Sequence, residues 1–152
     1  QYHRAVSALA QNNIPCITHL ILGLPGESKE QMLSSVAHVA SLPVSGIKLQ
    51  LLHVLRNTDL GTLYEKSPFP LFSLEEYCNL IADCIALLPP EMVIHRLTGA
   101  GPKNLLLAPL WSADKKRVMN TIQKTLRERD IYQGMNHRKE DFSWQNHLPS
   151  TN

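Results

Sequence analysis

Short apolar runs and longer amphipathic stretches alternate along the chain. The runs at 16–22, 46–54 and 92–98 are apolar and partly β-branched, which is typical of buried strands. Apolar residues at i, i+3, i+4 spacing precede the first run and follow all three. Strands that alternate with helices predict right-handed βαβ units and a parallel sheet, either an open doubly wound sheet or a barrel segment.

Polar residues mark where the helices begin and end. Ser28 with Gln31, and Ser73 with Glu76, have the spacing of capping boxes. Ser112 is predicted to begin the last helix. The first helical pattern has no capping residue before it, which we interpret as a truncation. We expect residues 1–133 to form one folded unit and the polar residues 134–152 a loosely held tail.

Composition narrows the class of protein. The chain has 152 residues, 43% of them hydrophobic and 18% charged, as in one globular domain. A formal charge of +2 is too small to indicate nucleic-acid binding by itself. No apolar run approaches the roughly 20 residues of a membrane span, so we predict a cytoplasmic protein without a membrane partner.

The three cysteines, Cys16, Cys78 and Cys84, form no CxxC pair. The odd number argues against a disulfide framework, and the spacing argues against a closed zinc site. We therefore expect buried free thiols.

The predicted strands carry polar residues in a regular pattern. In the second strand Lys48 and Gln50 alternate with apolar residues, and Arg96 lies in the third. If the apolar faces pack on helices, these side chains, and with them His19 of the first strand, point into a common interior. The pattern predicts a polar cavity large enough for a ligand.

Structural explanations remain open for each of these residues. Lys48 could protect an edge strand from aggregation. Arg96 could pair with a nearby carboxylate such as that of Glu91. His19 and His95 could be core or rim histidines, since nothing around them has metal-ligand spacing.

A glycine-rich turn at 23–26 joins the first strand to the next helix, a place that favours anions or polar ligands. Tight turns also need glycine for geometry alone. The turn matches neither the P-loop nor the GxGxxG fingerprint, and the chain contains no G-x-S-x-G or HExxH motif.

Taken in order, five segments resemble the YtqA/YhcC-like branch of the radical S-adenosylmethionine (SAM) superfamily. They are 19–27 (HLILGLPGE), 46–58 (GIKLQLLHVLRNT), 95–102 (HRLTGAGP), 108–112 (APLWS) and 133–134 (QG). The resemblance implies an α/β fold, the C-terminal half of a partial (β/α)₆ TIM-like barrel with mostly parallel strands. The missing N-terminal half would then be a partner of this chain.

The resemblance also implies two sets of site residues. Ile21 would pack on the SAM adenine, Gly23 would allow close approach, and the Leu52–Val54 backbone would face the adenine. The full set for cofactor contact is Ile21, Gly23, Glu27, Leu52, His53 and Val54. The set for substrate contact is Lys48, Gln50, Thr58 and Arg96, with Lys48 and Arg96 as anchors for carboxylate or phosphate.

The function implied for the full-length protein is that of a radical SAM enzyme. It would bind SAM and a [4Fe-4S] cluster and generate a 5′-deoxyadenosyl radical that acts on an unknown small-molecule or tRNA substrate. The three-cysteine cluster motif is absent from this sequence, so the cluster ligands are expected in the missing half and this chain alone should be inactive. Ala100 replaces an expected acidic residue, which weakens an acid/base role for its loop.

Two other functions compete with this one. The basic segment Lys115 to Arg117, with Arg127 and Arg129, could belong to a non-catalytic RNA-binding module, although such a run is more typical of a solvated helix face. Lys48 could instead act as a Schiff-base amine in an ordinary barrel enzyme.

Overall fold

A computed structural model describes residues 1–99 and 101–137. The helices are α1 (Tyr2–Gln11), α2 (Lys29–Ala40), α3 (Asp59–Lys66), α4 (Leu74–Leu87) and α5 (Lys115–Glu128), with a 3₁₀ turn at Leu110–Ala113. The strands are β1 (Ile17–Leu22), β2 (Gly46–Leu51), β3 (Val54–Leu55), β4 (Val93–Arg96) and β5 (Leu106–Ala108).

The main sheet has three parallel strands in the order β1-β2-β4. Strand β2 is central and pairs residue by residue with β1, so that Lys48 lies opposite His19 and Gln50 opposite Ile21. On its other side Lys48 lies opposite Arg96, after a register shift next to Ile47. The predicted parallel α/β arrangement is confirmed for these strands.

The second predicted strand, 46–54, is too long. Strand β2 ends at Leu51, and Val54 turns away to pair antiparallel with Ala108 of β5. Helix α3, which the sequence pattern did not predict, follows β3. It is capped by Thr58, whose hydroxyl accepts a hydrogen bond from the Gly61 backbone N–H. The end of β2 and the start of α3 depend on strand pairing and on a local cap, and the pattern of apolar residues specifies neither.

The core lies between one face of the main sheet and helices α2, α4 and α5. Ile47, Leu49 and Leu51 of β2 are buried there, together with residues such as Tyr77 of α4 and Ile122 of α5. Within the described ranges no helix has both the length and the apolar character of a membrane span.

The thiols of Cys78 and Cys84 lie in this core on α4, as expected for buried free cysteines, whereas Cys16 is only partly buried. Burial raises the pKa of the Cys78 thiol to about 11 and that of Cys84 to about 12. Both therefore remain protonated and unreactive near neutral pH.

The predicted caps of α2 and α4 are confirmed. Ser28 and Gln31 exchange reciprocal side-chain to backbone hydrogen bonds, and so do Ser73 and Glu76. Such a cap contributes about 1 kcal/mol. The predicted start of the last helix at Ser112 is wrong, because Ser112 lies in the 3₁₀ turn and Asp114 caps α5 by accepting from the Arg117 amide.

The segment after α5 docks on the C-terminal end of α4. The Gln133 side chain donates to the carbonyls of Pro89 and Met92, at 2.6 and 2.7 Å, and the Asn136 amide donates to the Ala86 carbonyl. A loose tail beginning at 134 is thus incorrect for 134–137. The rest of the predicted tail, 138–152, lies outside the described residues.

One carboxylate links three helical segments. Asp83 of α4 accepts from Lys29 at the start of α2 and from Arg129 just after α5, each at 2.6 Å. Burial acts to raise the pKa of Asp83, but the two cations outweigh it and the pKa lies below its ordinary value.

Asp83→Asn is expected to lower the free energy of unfolding by about 1–3 kcal/mol near neutral pH, since it leaves two cations without their counter-charge. Because the folded pKa is depressed, the contribution of Asp83 is present above the ordinary carboxyl pKa and is lost as the pH falls through the folded value. Chemical denaturation at a series of acidic pH values measures both effects.

Glu128→Gln is the matched control, because it removes an exposed pair with Lys124 at 3.6 Å, one turn apart on α5. This variant should change stability by no more than about 0.5 kcal/mol. Equal losses in the two variants would contradict the role assigned to Asp83.

Candidate functional site

The second face of the main sheet is open. It carries His19, Ile21, Lys48, Gln50 and Arg96. The residues of β1 and β2 alternate onto this face, and a register shift in the pairing of β2 with β4 brings Arg96 opposite Lys48. None of these side chains is fully buried, and Ile21 remains 45% exposed. Parallel sheets usually have both faces covered, so an open face with polar residues indicates a surface built to meet something else.

Lys48 lies on the central strand and not on an edge, which excludes the edge-protection interpretation. Arg96 forms no ion pair with Glu91, and neither cation has an ion-pair partner within residues 1–99 and 101–137. The structure therefore brings Lys48, Gln50 and Arg96 to one surface. Lys48 and Gln50 lie there by simple alternation along β2, as predicted, whereas Arg96 joins them only through the register shift next to Ile47, because strict alternation would place it with Ile94.

The two histidines of this face have distinct surroundings. His19 Nε2 lies 3.0 Å from Gln50 Oε1, and with the amide oxygen as acceptor the imidazole Nε2 is the donor. The His95 ring lies over Gly46, where a methyl group would come within 2.7 Å of it. The absence of a side chain at Gly46 thus makes room for His95. Both histidines lie on the rim of the open face rather than in the core.

The glycine turn lies at the carboxyl end of β1. Gly23 has φ +83° and Gly26 φ +79°, conformations that other residues adopt only with strain. The Leu24 amide donates to the Glu27 carboxylate at 3.3 Å, so Glu27 holds the turn in shape. The Phe72 ring packs against Gly23, where an added methyl group would come within 3.0 Å of the ring.

His53 lies at the carboxyl end of β2 beneath the loop after β4. A methyl group on Gly99 would overlap its ring, and it would also come within 3.0 Å of Gln50. Both imidazole nitrogens are buried, and in the described part of the chain neither has a hydrogen-bond partner. A buried unsatisfied nitrogen costs about 1–3 kcal/mol, which singles out the His53 side chain.

The resemblance places His53 among the residues that contact the cofactor, but it gives no indication of this enclosed side-chain environment. Burial lowers the pKa of His53, and the nearby Leu51 backbone opposes that effect without forming a hydrogen bond of ordinary geometry. The glycines beside the ring, Gly99 and Gly101, are far from His53 in the sequence, so no local signal indicated this environment.

Other predicted site residues make packing or hydrogen-bond contacts within the chain itself. Leu52 and Val54 are buried, the Leu52 amide donates to the Leu22 carbonyl, and Val54 pairs with Ala108. Thr58 caps α3, and its hydroxyl also donates to the Leu55 carbonyl at 2.8 Å. Ala100, predicted to weaken acid/base chemistry in its loop, lies outside the described residues.

The described residues contain no group of three His, Cys, Asp or Glu side chains able to hold a metal ion. Of the basic residues considered for RNA, Arg129 is bound to Asp83 and Asn79, whereas Lys115, Lys116 and Arg117 are exposed on α5. Fewer of these basic residues are therefore free to contact RNA than the sequence suggested.

A model of the Radical_SAM C-terminal domain family matches residues 44–128 of this chain. The chain belongs to this family. The matched range contains β2, β4 and the His53 loop, so it includes most of the open face just described.

Two curated relatives support the resemblance to the YtqA/YhcC-like branch, which is thereby confirmed. The uncharacterised protein YtqA of Bacillus subtilis is 40% identical over 133 residues, 88% of this chain and 41% of that protein. YhcC of Escherichia coli is 30% identical over 130 residues, 86% of this chain and 42% of that protein. The chain thus spans about two fifths of the length of these relatives.

Among solved structures, the chain is similar to the archaeal Elp3 of Methanocaldococcus infernus with an N-terminal deletion. The TM-score is 0.69 at 15% identity, over 85% of this chain and 31% of that one. At this identity the likeness supports the fold alone.

His53→Leu is expected to flatten the pH dependence of stability. Because the folded pKa is lowered, the unfolded chain binds the proton first, and native stability falls as the pH drops from about 8 through the ordinary histidine value of about 6.5. Replacing the imidazole removes this loss and should leave stability at the upper pH little changed. Urea denaturation at several pH values gives the comparison, and parallel curves for the two proteins would refute it.

Gly99→Ala is expected to destabilise the fold by about 1–3 kcal/mol, since the added methyl group overlaps the His53 ring. His53→Ala in the same chain should restore part of that loss, because it removes the atoms that clash. A double-mutant cycle measures the coupling, and additive losses would contradict the contact.

Proposed function

We propose that this chain forms the C-terminal part of a radical SAM enzyme, a half of a partial (β/α)₆ TIM-like barrel whose open sheet face is the interior of that barrel. The observation that carries the proposal is the polar surface on a parallel sheet, in a chain of the Radical_SAM C-terminal domain family. A cytoplasmic location remains part of the same prediction.

The residues beside the glycine turn fit SAM. Ile21 presents an exposed apolar side chain that could pack on an adenine ring, directly before the tight bend at Gly23. The end of β2 lies beside it, because Leu52 is hydrogen-bonded to Leu22. We infer that Ile21, Gly23, Glu27 and the Leu52–Val54 segment hold the adenosine portion.

An iron–sulfur cluster does not fit the described residues of this chain. Cys78 and Cys84 are buried in the core as protonated thiols, and no metal-ligand group is present in the described ranges. We therefore propose that the [4Fe-4S] ligands belong to another part of the full-length protein, which would be this chain's structural partner.

Together with a cluster held elsewhere in the full-length protein, SAM bound by these residues would supply the radical chemistry of this enzyme class. This chain would contribute orientation and shielding: the apolar Ile21 positions the adenosine, and the sheet excludes water from one side. Lys48, Gln50, Thr58 and Arg96 would contact the substrate, although the Thr58 hydroxyl already caps α3.

Ile21→Glu should weaken SAM binding by about tenfold or more in the full-length protein that contains this chain, since it places a carboxylate where the adenine would pack. Equilibrium binding of labelled SAM and anaerobic release of 5′-deoxyadenosine after cluster reconstitution measure the effect. Far-ultraviolet circular dichroism checks that the variant is folded.

Ile17→Glu is the matched control, because Ile17 lies on the same strand and face with 43% exposure, against 45% for Ile21. It lies at the opposite end of β1 from the glycine turn and should leave SAM binding unchanged. Equal losses in both variants, or no release of 5′-deoxyadenosine by the reconstituted wild type, would refute the proposal.

A further inference from the structure

Three basic residues occupy paired positions on the three strands of the open face. The parallel register places His19 opposite Lys48, and Lys48 opposite Arg96, each on a different strand. Adjacent strands lie about 4.8 Å apart, so the row spans roughly 10 Å, which is the size of a small ligand. We call this set the basic row.

The charges of the basic row are not compensated within the described ranges. The ion pairs found there involve Asp83 of α4 and Glu128 of α5, and none reaches the open face. Like charges directly opposite each other destabilise a sheet. Two unpaired cations on paired strands therefore reduce stability unless an anion binds between them.

Hydrogen-bond donors lie next to the row. Gln50 accepts from His19 through Oε1, so its amide NH₂ group has no partner in the described chain. Gln50 and Lys48 project from the same face of β2, two residues apart. An anionic oxygen group placed there would meet an ammonium, a guanidinium and an amide donor.

We propose that the basic row binds an anionic oxygen group of the substrate, a carboxylate or a phosphate, held mainly by Lys48 and Arg96. This inference rests on the proposed function, because it names the chemical class of substrate that this face would receive. The binding itself requires neither SAM nor a cluster and can be measured on this chain alone.

The test is a titration with inorganic phosphate and, separately, acetate, at constant ionic strength held with chloride. The Nε–H resonance of Arg96 and the side-chain amide resonances of Gln50 should shift and saturate. Tighter binding of phosphate assigns a phosphate group to the substrate, and tighter binding of acetate assigns a carboxylate. No saturable shift with either anion overturns the proposal.

Lys48→Glu makes the test sharper, because it places a carboxylate opposite Arg96. The variant should lose anion binding by about tenfold or more, yet unfold at the same temperature as wild type or higher, since repulsion becomes attraction. A purely structural role for Lys48 predicts the opposite change in stability. Retained binding by this variant would refute the proposal.

Arg96→Gln should independently weaken anion binding by about tenfold. The Gln50 side-chain amide resonances measure the affinity of this variant. Lys116→Gln, an exposed lysine of α5, is the control and should bind as wild type does. If anions do not bind but the full-length protein still releases 5′-deoxyadenosine, only the proposed anion site at the basic row is rejected. Intact anion binding without that release rejects only the proposed radical chemistry.

Discussion

Strand β2 is hydrogen-bonded to a parallel neighbour on each side, and this pairing sets the direction of every side chain in the candidate site. Because side chains alternate along a strand, fixing the register fixes which residues face the helices and which face outward. A shift of one residue would bury Lys48 and expose Ile47. The large cost of burying an unpaired ammonium makes that alternative inaccessible.

The two faces of the sheet therefore have different roles, one in stability and one in the candidate site. The inner face joins α2, α4 and α5 in a dense core that is held further by Asp83 and by the docked segment after α5. Within the described residues, the open face carries two features that lower stability. Lys48 and Arg96 have no ion-pair partner there, and the buried imidazole of His53 at its edge has no hydrogen-bond partner. Proteins retain such costs mainly where function requires them.

The two proposed contact regions lie at the same edge of the main sheet. The glycine turn after β1 and the His53 segment after β2 both lie at carboxyl ends of parallel strands, the usual location of α/β ligand sites. The Radical_SAM C-terminal domain match covers residues 44–128, and so includes the second of these but not the turn. The proposed SAM contacts at Ile21 and Gly23 therefore depend on β1 being in register with β2, as it is here.

The sequence by itself determined the alternation of β1, β2 and β4 with helices α2, α4 and α5, the two capping boxes and the face on which Lys48 and Gln50 would lie. These depend on local periodicity and on neighbours three or four residues away. Only the tertiary structure decided that β2 stops at Leu51, that β3 pairs with β5 and that residues 134–137 dock on α4. The same holds for the enclosure of His53 by Gly99 and for the alignment of Arg96 with Lys48. Each of these joins residues far apart in the chain, and their contact energies are set by the packed geometry, which no local pattern contains.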